Sequence, residues 1–121
     1  MTVKEKEFSA TVRQPNGMAI IDLHGEINAF AEASLNAAYD KALDSDPETV
    51  ILNFSDVAYI NSTGIALIVG LLAQARKNHR RLVTCGLSEH YQEIFHITRL
   101  SDFMTMYTDE ASALAGTISN K

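Results

Sequence analysis

Four small residues lie between two apolar segments of the chain: Asn61, Ser62, Thr63 and Gly64. A serine hydroxyl in such a place can cap a helix, accept a phosphoryl group or act as a nucleophile. The apolar segments are residues 50–54, which are typical of a strand, and residues 65–72, which are typical of a buried helix. Ser62 would then lie in the first turn of that helix, where backbone N–H groups lack partners and an anion is well placed. Whether Ser62 is a cap or a switch is the central question.

Catalysis is one alternative for Ser62. A catalytic triad would need a base and an acid, and the candidate partners along the chain are Asp22, His24, Glu26 and Asp56. No spacing among these residues supports such a constellation. Residues 61–64 are not the G-x-S-x-G turn of serine hydrolases, and the chain has no glycine-rich phosphate loop. An enzyme with Ser62 as its nucleophile is therefore the weakest hypothesis.

The charge and histidine patterns favour neither nucleic acid nor metal. The net charge is −5, from ten basic and fifteen acidic residues, which is unfavourable for binding nucleic acid. One cationic cluster, residues 76–81, falls where a helix meets a strand; it is most simply a solvated helix end, with a phosphate-binding patch as the alternative. His90, Glu93 and His96 could share a helix surface, but they lack the H-E-x-x-H spacing of a zinc site. We expect no metal, no cofactor and no nucleic-acid partner.

Length and composition indicate one domain. With 121 residues and a hydrophobic fraction of 46%, the chain can build its own core. Cys85 is the single cysteine, which favours a reducing compartment or indifference to redox conditions, and its apolar neighbours indicate a buried thiol. Residues 1–7 do not resemble a signal peptide, and the longest apolar run, residues 65–73, is too short to span a bilayer. We expect a cytoplasmic protein without membrane insertion.

Hydrophobic periodicity and turn residues predict elements in the order β-β-α-β-α-β-α-β-α. The predicted strands are residues 8–13, 18–24, 50–54, 81–85 and 103–107, and the predicted helices are residues 29–43, 63–78, 88–97 and 111–114. Strands separated by helices imply a single α/β domain with a mixed, mostly parallel sheet of about five strands and about four helices. We expect its core to span about residues 8–114, with short flexible tails.

Further details concern the helices. Asn28 is placed to cap the helix predicted at residues 29–43, whose apolar residues include Phe30. The helix predicted at residues 63–78 carries apolar side chains around almost its whole circumference, so we expect it to pack deeply. From residue 116 onward the composition predicts a frayed tail.

Residues 56–68 resemble the signature of STAS domains, as in bacterial anti-sigma-factor antagonists, where a D-S-[ST]-G segment leads into an apolar helix. Residues 23–28 are similar to the G-E-[LI]-D turn that follows the family's second strand, and residues 50–54 are similar to its central strand. Residues 82–86 and the helix after them match the later half of the family. The resemblance covers about residues 8–114, and the ordered set of motifs is specific although no single motif is.

The resemblance implies a regulatory protein rather than an enzyme. In the family the serine that matches Ser62 is the phosphorylation site, and Thr63 is the secondary candidate here. The unmodified antagonist binds an anti-sigma factor that is also a serine kinase, and phosphorylation prevents this binding. The implied partner surface consists of Asn28, Asn61, Ser62, Thr63 and Gly64. The resemblance implies no cofactor, and the sequence makes no prediction about oligomeric state.

Two asparagines depart from the family pattern. Asn61 stands where phosphorylated members usually carry aspartate before the serine, and Asn28 stands where they usually carry the aspartate of G-E-[LI]-D. Asparagine can still cap a helix, but it supplies no negative charge. Losing those charges would also lessen the repulsion of a phosphate. The alternative function is therefore a STAS protein-interaction module that is not phosphorylated, such as a scaffold or a subunit of a lipid-transport complex.

Overall fold

The computed structural model describes residues 7–119, in which five strands and four α-helices follow one another. The strands are β1 (Ser9–Arg13), β2 (Ala19–Ile27), β3 (Thr49–Ile60), β4 (Arg81–Cys85) and β5 (Met106–Tyr107). The helices are α1 (Glu32–Ala42), α2 (Ser62–Lys77), α3 (Glu89–Ile97) and α4 (Glu110–Ser119). Short 3₁₀ turns lie at Pro15–Gly17, Ala29–Ala31, Leu43–Ser45 and Leu100–Asp102. Residues 1–6 of the predicted N-terminal tail and residues 120–121 of the predicted C-terminal tail lie outside the described residues.

The five strands form one sheet in the order β1-β2-β3-β4-β5. β1 and β2 pair antiparallel as a hairpin, and each later pair is parallel. The helices α1, α2 and α3 supply the crossovers that parallel neighbours require. The predicted fold class is confirmed: an α/β domain with a mixed, mostly parallel sheet of five strands and four helices.

The core lies on both faces of the sheet, as the continuous apolar run at residues 50–54 predicts. One face packs against α1, α2 and α3, and its largest buried side chains include Ile21, Leu23, Leu35, Tyr39, Leu52, Ile68, Leu71 and Phe95. On the other face, Ile20, Ile51 and Val83 lie side by side and pack with Ala113 of α4. Cys85 belongs to this second layer as the predicted buried thiol, and burial raises its pKa to about 11.

Arg13 ties α4 to the hairpin on the second face. Its guanidinium donates to the Asp22 carboxylate at 2.6 and 2.8 Å and to the Glu110 carboxylate at 2.6 and 3.1 Å. These hydrogen bonds hold the pKa values of Asp22 and Glu110 below their ordinary values. Asp22 also accepts a hydrogen bond from Asn53 Nδ2 at 2.8 Å, so the charged cluster joins β1, β2, β3 and α4.

β3 is longer than the strand predicted at residues 50–54. It continues to Ile60, because β2 runs beside it to Ile27 and pairs with it on both sides of two register shifts, between Asp22 and His24 and between Gly25 and Glu26. The periodicity of residues 55–60 did not indicate a strand, since most of their side chains are exposed. The pairing with β2 therefore decides the conformation of this segment.

The C-terminal elements also differ from the prediction. β5 is reduced to Met106–Tyr107, and the 3₁₀ turn Leu100–Asp102 precedes it. α4 continues to Ser119, so the tail predicted from residue 116 is helical as far as the structure describes it. Gly116 lies against the Tyr107 ring, which a Cβ at this position would overlap. This glycine therefore allows close packing and does not end the helix.

α2 is only half buried, in contrast to the deep packing predicted for it. Its inward residues are Gly64, Ile68, Leu71, Leu72 and Ala75. Val69, away from this stripe, is 44% exposed. The helix packs on one face of the sheet, and part of its apolar surface stays uncovered. No helix within residues 7–119 is long and apolar enough to cross a bilayer.

Candidate functional site

Two neighbouring strand ends bring the predicted site residues together. Ile27 at the end of β2 and Ile60 at the end of β3 are register partners in the parallel part of the sheet. The Asn61 N–H donates to the Ile27 carbonyl oxygen at 3.2 Å, which continues the pairing beyond β3. Asn28 and Asn61 therefore emerge from neighbouring strands at the carboxyl edge of the sheet, where open α/β sheets place their binding sites.

Asn61 caps α2. Its backbone is extended, with φ −90° and ψ −178°, and its side-chain Oδ1 accepts a hydrogen bond from the Gly64 N–H at 2.8 Å. The Asn61 carbonyl accepts from the Ile65 N–H at 2.9 Å. The helix thus begins at Ser62, one residue before its predicted start. Ser62 was considered as a cap from its place in the sequence, but the capping residue is Asn61, a contribution of about 1 kcal/mol.

Ser62 and Thr63 occupy the first two positions of α2, and both side chains are exposed. Within residues 7–119, the Ser62 hydroxyl has no hydrogen-bond partner. Because Asn61 already satisfies an N–H of the first turn, the helix does not require this hydroxyl as a cap. Ser62 Oγ is therefore open to an enzyme that transfers a phosphoryl group, and the helix N-terminus is suited to the resulting anion.

Asn28 is a second cap, at the end of β2. Its Oδ1 accepts from the Phe30 N–H at 2.9 Å, as predicted for a capping residue, and it begins the 3₁₀ turn Ala29–Ala31. The helix predicted at residues 29–43 is therefore divided into this turn and α1. Both asparagines that depart from the aspartates of the STAS pattern cap helical turns through neutral amide oxygens.

Gly64 is buried where the first turn of α2 meets the ends of two strands. A Cβ at this position would overlap the Ile27 carbonyl oxygen and would lie 2.9 Å from Ile60 Cγ2. A glycine is therefore needed for α2 to start this close to β2. Gly64 has no side chain that could contact a partner, so its role is to set the position of Ser62.

The family model of the STAS domain matches residues 9–113, most of the chain. The chain belongs to the STAS domain family. Among its relatives, the Bordetella bronchiseptica protein named as the anti-sigma factor antagonist BtrV is 31% identical over 106 residues, which cover 87% of this chain and 91% of the relative.

Solved structures of two anti-sigma factor antagonists share the fold of this STAS domain. One, from Mycobacterium paratuberculosis, matches with a TM-score of 0.78 at 17% identity and covers 91% of this chain and 93% of its own. The other is SpoIIAA in its unphosphorylated form, with a TM-score of 0.74 at 20% identity, covering 93% of this chain and 99% of its own. At these identities the likeness concerns the architecture alone, and it agrees with the sheet and helices described above.

Three of the four candidate catalytic partners of Ser62, namely Asp22, His24 and Asp56, have other side-chain contacts in this STAS domain. Within residues 7–119, no hydrogen bond connects Ser62 with Asp22, His24, Glu26 or Asp56. His24 Nδ1 lies 2.7 Å from Asp56 Oδ2, so these two residues pair with each other. Asp22 is held by Arg13. The described residues therefore do not assemble a catalytic triad around Ser62.

Two exposed aromatic residues flank the site, and the sequence prediction did not single them out. Phe30 is 94% exposed in the turn after Asn28, and Tyr59 is 53% exposed near the end of β3. The buried stripe on this side of the chain is Ala31, Leu35, Ala38, Tyr39 and Ala42. Phe30 does not belong to this helical spacing, and from that spacing the sequence could have predicted an exposed Phe30 side chain. Exposed aromatic side chains are typical of protein-binding surfaces.

The loop between β4 and α3 lies at the same edge of the sheet. Gly86 has φ +77°, and a Cβ there would overlap Ser55 Oγ, so the loop passes close against β3. In α3, the Tyr91 hydroxyl oxygen accepts a hydrogen bond from the Ile60 N–H at 2.9 Å. These contacts fix the end of β3, from which Ser62 follows.

Proposed function

We propose that this STAS domain is an anti-sigma factor antagonist that is switched off by phosphorylation of Ser62. The observation that carries the proposal is the position of this residue. Ser62 begins α2 with an exposed hydroxyl that has no hydrogen-bond partner in residues 7–119, because Asn61 supplies the cap. Relatives named as anti-sigma factor antagonists support the class of partner. Thr63 is also exposed and is the secondary acceptor.

A phosphate on Ser62 would change recognition more than it changes the fold. Phosphoserine adds roughly 1.5 to 2 negative charges, which the dipole and the N–H groups at the start of α2 favour. A partner surface that fits a neutral hydroxyl would have to desolvate this dianion. A loss of about 3 kcal/mol already lowers affinity more than a hundredfold. SpoIIAA, which shares the fold, is also solved in a phosphorylated form, and this supports the proposal.

The proposed partner is an anti-sigma factor that is also a serine kinase, and it binds around the start of α2. Its polar contacts are Asn28, Asn61, Ser62 and Thr63, while Gly64 holds them in position. Phe30 and Tyr59 add aromatic area beside these polar groups. The proposed setting is the cytoplasm, with neither nucleic acid nor membrane insertion involved, and with a regulatory rather than a catalytic role.

A second candidate function is a STAS interaction module that is never phosphorylated, such as a scaffold or a subunit of a lipid-transport complex. The observation that favours it is the chemistry of the two caps. Asn28 and Asn61 both accept their hydrogen bonds through neutral amides, so neither supplies the carboxylate of the phosphorylated pattern. In this case Phe30 would still bind a partner, and Ser62 would be a surface residue without a switch.

Phosphorylation of the full-length chain tests the first function. With ATP and the anti-sigma factor from the same organism, we expect one phosphate on the wild-type protein and none on Ser62→Ala, read by intact-mass spectrometry. Thr63→Ala is the matched control and keeps the modification. Equal modification of Ser62→Ala would show that the site is wrong. A Ser62→Asp variant with undiminished partner binding would favour the unswitched module.

A further inference from the structure

A groove that is separate from the Ser62 site runs along the second half of α2. It lies between α2 and the segment that follows α3, and its volume is about 650 Å³. The floor includes the buried residues Leu72 and Leu100. Its rims include Val69 and Phe103, which are 44% and 54% exposed. An exposed apolar groove of this size is typical of an interaction site.

Lysine and arginine residues are concentrated at this groove. Residues 7–119 contain seven of them, and five line the groove or the smaller cleft that continues it: Arg76, Lys77, Arg80, Arg81 and Arg99. The other two are Arg13 and Lys41. Among the described residues that line either cavity there is no aspartate or glutamate. The groove is therefore locally cationic on a chain of net charge −5, and it is complementary to an anionic partner.

Three of these cations form no ion pair with another residue within residues 7–119. Those without an ion pair in the described part of the chain are Arg76, Lys77 and Arg81. The guanidinium carbon of Arg76 lies 4.8 Å from the centre of the Phe103 ring, while Arg80 and Arg99 each pair with a nearby aspartate. Charge and apolar surface are thus directly adjacent at Arg76.

We propose that the groove binds an acidic amphipathic helix of another protein. From Val69 to Lys77 the groove follows about 12 Å of α2, or about two turns of a bound helix. Apolar side chains at i, i+4 and i+7 of that helix would fill the floor, and carboxylates on its flanks would meet Arg76 and Lys77. A membrane would contact only the rims of this concave surface, and a nucleic-acid backbone would leave the apolar floor unmatched.

The groove is independent of the Ser62 switch. Ser62 and Arg76 are about 21 Å apart along α2, well beyond the Debye length of about 8 Å at physiological ionic strength. A phosphate on Ser62 therefore leaves the field at the groove almost unchanged. The protein could hold this second partner in both states of the switch, so the inference does not depend on the function proposed for Ser62.

A peptide titration of the full-length protein tests the inference. The probe is a short helical peptide with leucines at i, i+4 and i+7 and glutamates on both flanks, and the matched peptide carries glutamine in place of each glutamate. In amide NMR spectra we expect saturable shifts at Val69, Ala73, Arg76 and Phe103, with affinity that falls as salt rises. The glutamine peptide is expected to bind about tenfold more weakly. Equal affinities for the two peptides, or no shifts at the groove, would overturn the proposal.

Matched variants locate the binding. Val69→Glu places a like charge in the groove and is expected to weaken binding of the glutamate peptide about tenfold. Ala33→Glu adds the same charge at an exposed position of α1 that does not line the groove, and it is expected to keep the affinity. Arg76→Gln weakens binding about threefold and Lys41→Gln does not. Ser62→Asp binds as the wild type does. If the two variants of a pair change the peptide affinity equally, the proposal is overturned. It is also overturned if anionic phospholipid vesicles bind the groove and the glutamate peptide does not.

Discussion

The hydrogen bond from the Gly64 N–H to Asn61 Oδ1, at 2.8 Å, separates two roles within one cluster. Asn61 stabilises the start of α2, and Ser62 beside it presents an exposed hydroxyl. In a helix capped by its own serine, phosphorylation would alter the cap. Here the capping hydrogen bond does not use the Ser62 hydroxyl, so a group attached to that hydroxyl replaces no capping contact. A modification of Ser62 can therefore change partner binding without removing the N-terminal cap of α2.

Substitution of Asn61 tests this division of roles. We expect Asn61→Ala to lower the free energy of unfolding by about 1 kcal/mol, because the Gly64 N–H loses its acceptor. Asn61→Asp keeps an oxygen in the same place and is expected to retain the stability. Ser62→Ala removes no hydrogen bond and is expected to change the stability by less than about 0.5 kcal/mol. Urea unfolding measures all three, and a Ser62→Ala cost equal to that of Asn61→Ala would make Ser62 part of the cap.

Two glycines in α2 are predicted to respond in opposite directions to alanine. Gly64→Ala places a Cβ against the Ile27 carbonyl oxygen and is expected to destabilise the protein by about 2 kcal/mol or more. Gly70→Ala meets open space inside the helix and is expected to stabilise it by about 0.5 to 1 kcal/mol. Thermal unfolding gives both changes. A Gly64→Ala variant as stable as Gly70→Ala would contradict the close approach of α2 to β2.

The Arg13 cluster predicts a pH dependence of stability. Hydrogen bonds from Arg13 lower the folded pKa values of Asp22 and Glu110, so their contribution is present above the ordinary carboxyl pKa of about 4. This contribution to stability is lost as the pH falls below about 5 and then through the lowered pKa values of the two carboxyl groups in the folded protein. In Arg13→Gln we expect the free energy of unfolding to fall less steeply over this range. Lys41→Gln removes the same charge elsewhere and keeps the wild-type slope; equal slopes for the wild type and Arg13→Gln would refute the assignment.

Phe30 is predicted to bind the partner without stabilising the fold. Because its side chain is 94% exposed, Phe30→Ala is expected to leave the free energy of unfolding within about 0.5 kcal/mol of the wild type. It is expected to weaken binding of the anti-sigma factor by about 2 kcal/mol, as the loss of an aromatic hot spot does. Ile97→Ala, an exposed apolar residue on α3, is the control for affinity. If calorimetry gives the same affinity for Phe30→Ala as for the wild type, Phe30 is not part of the partner-binding surface.

The fold class could be predicted because strands and helices of this chain differ in their apolar period. The continuous apolar run at residues 50–54 predicts a strand that is buried on both faces. Asn28 could be predicted as a cap because asparagine is a preferred capping residue and it directly precedes a helical segment. The end of β3 was not predictable, since pairing with β2 extends it through residues without strand periodicity. The partial exposure of α2 was not predicted either, because it also depends on contacts with other elements. Its sequence shows how apolar the helix is, but not which side another layer covers.

The function of the candidate site stays a prediction, but part of its arrangement could be predicted from the sequence. The family resemblance pointed to Ser62 and its neighbours, and the adjacency of Asn28 and Asn61 follows from two parallel strands that end together. Phe30 was missed because an aromatic residue in an apolar helical stretch is usually inward. Here it lies in a 3₁₀ turn, and Ala31 takes the inward position. Which asparagine or serine caps α2 depends on backbone geometry that residue types alone do not give.

One binding measurement tests the central claim most directly. The anti-sigma factor would be titrated calorimetrically into the full-length protein, once unmodified and once fully phosphorylated at Ser62, with circular dichroism confirming that both forms are folded. We predict that phosphorylation lowers the affinity at least about a hundredfold while the unfolding midpoint stays close to that of the unmodified protein. Equal affinities of the two forms would contradict the account and leave Ser62 as a surface residue of an interaction module.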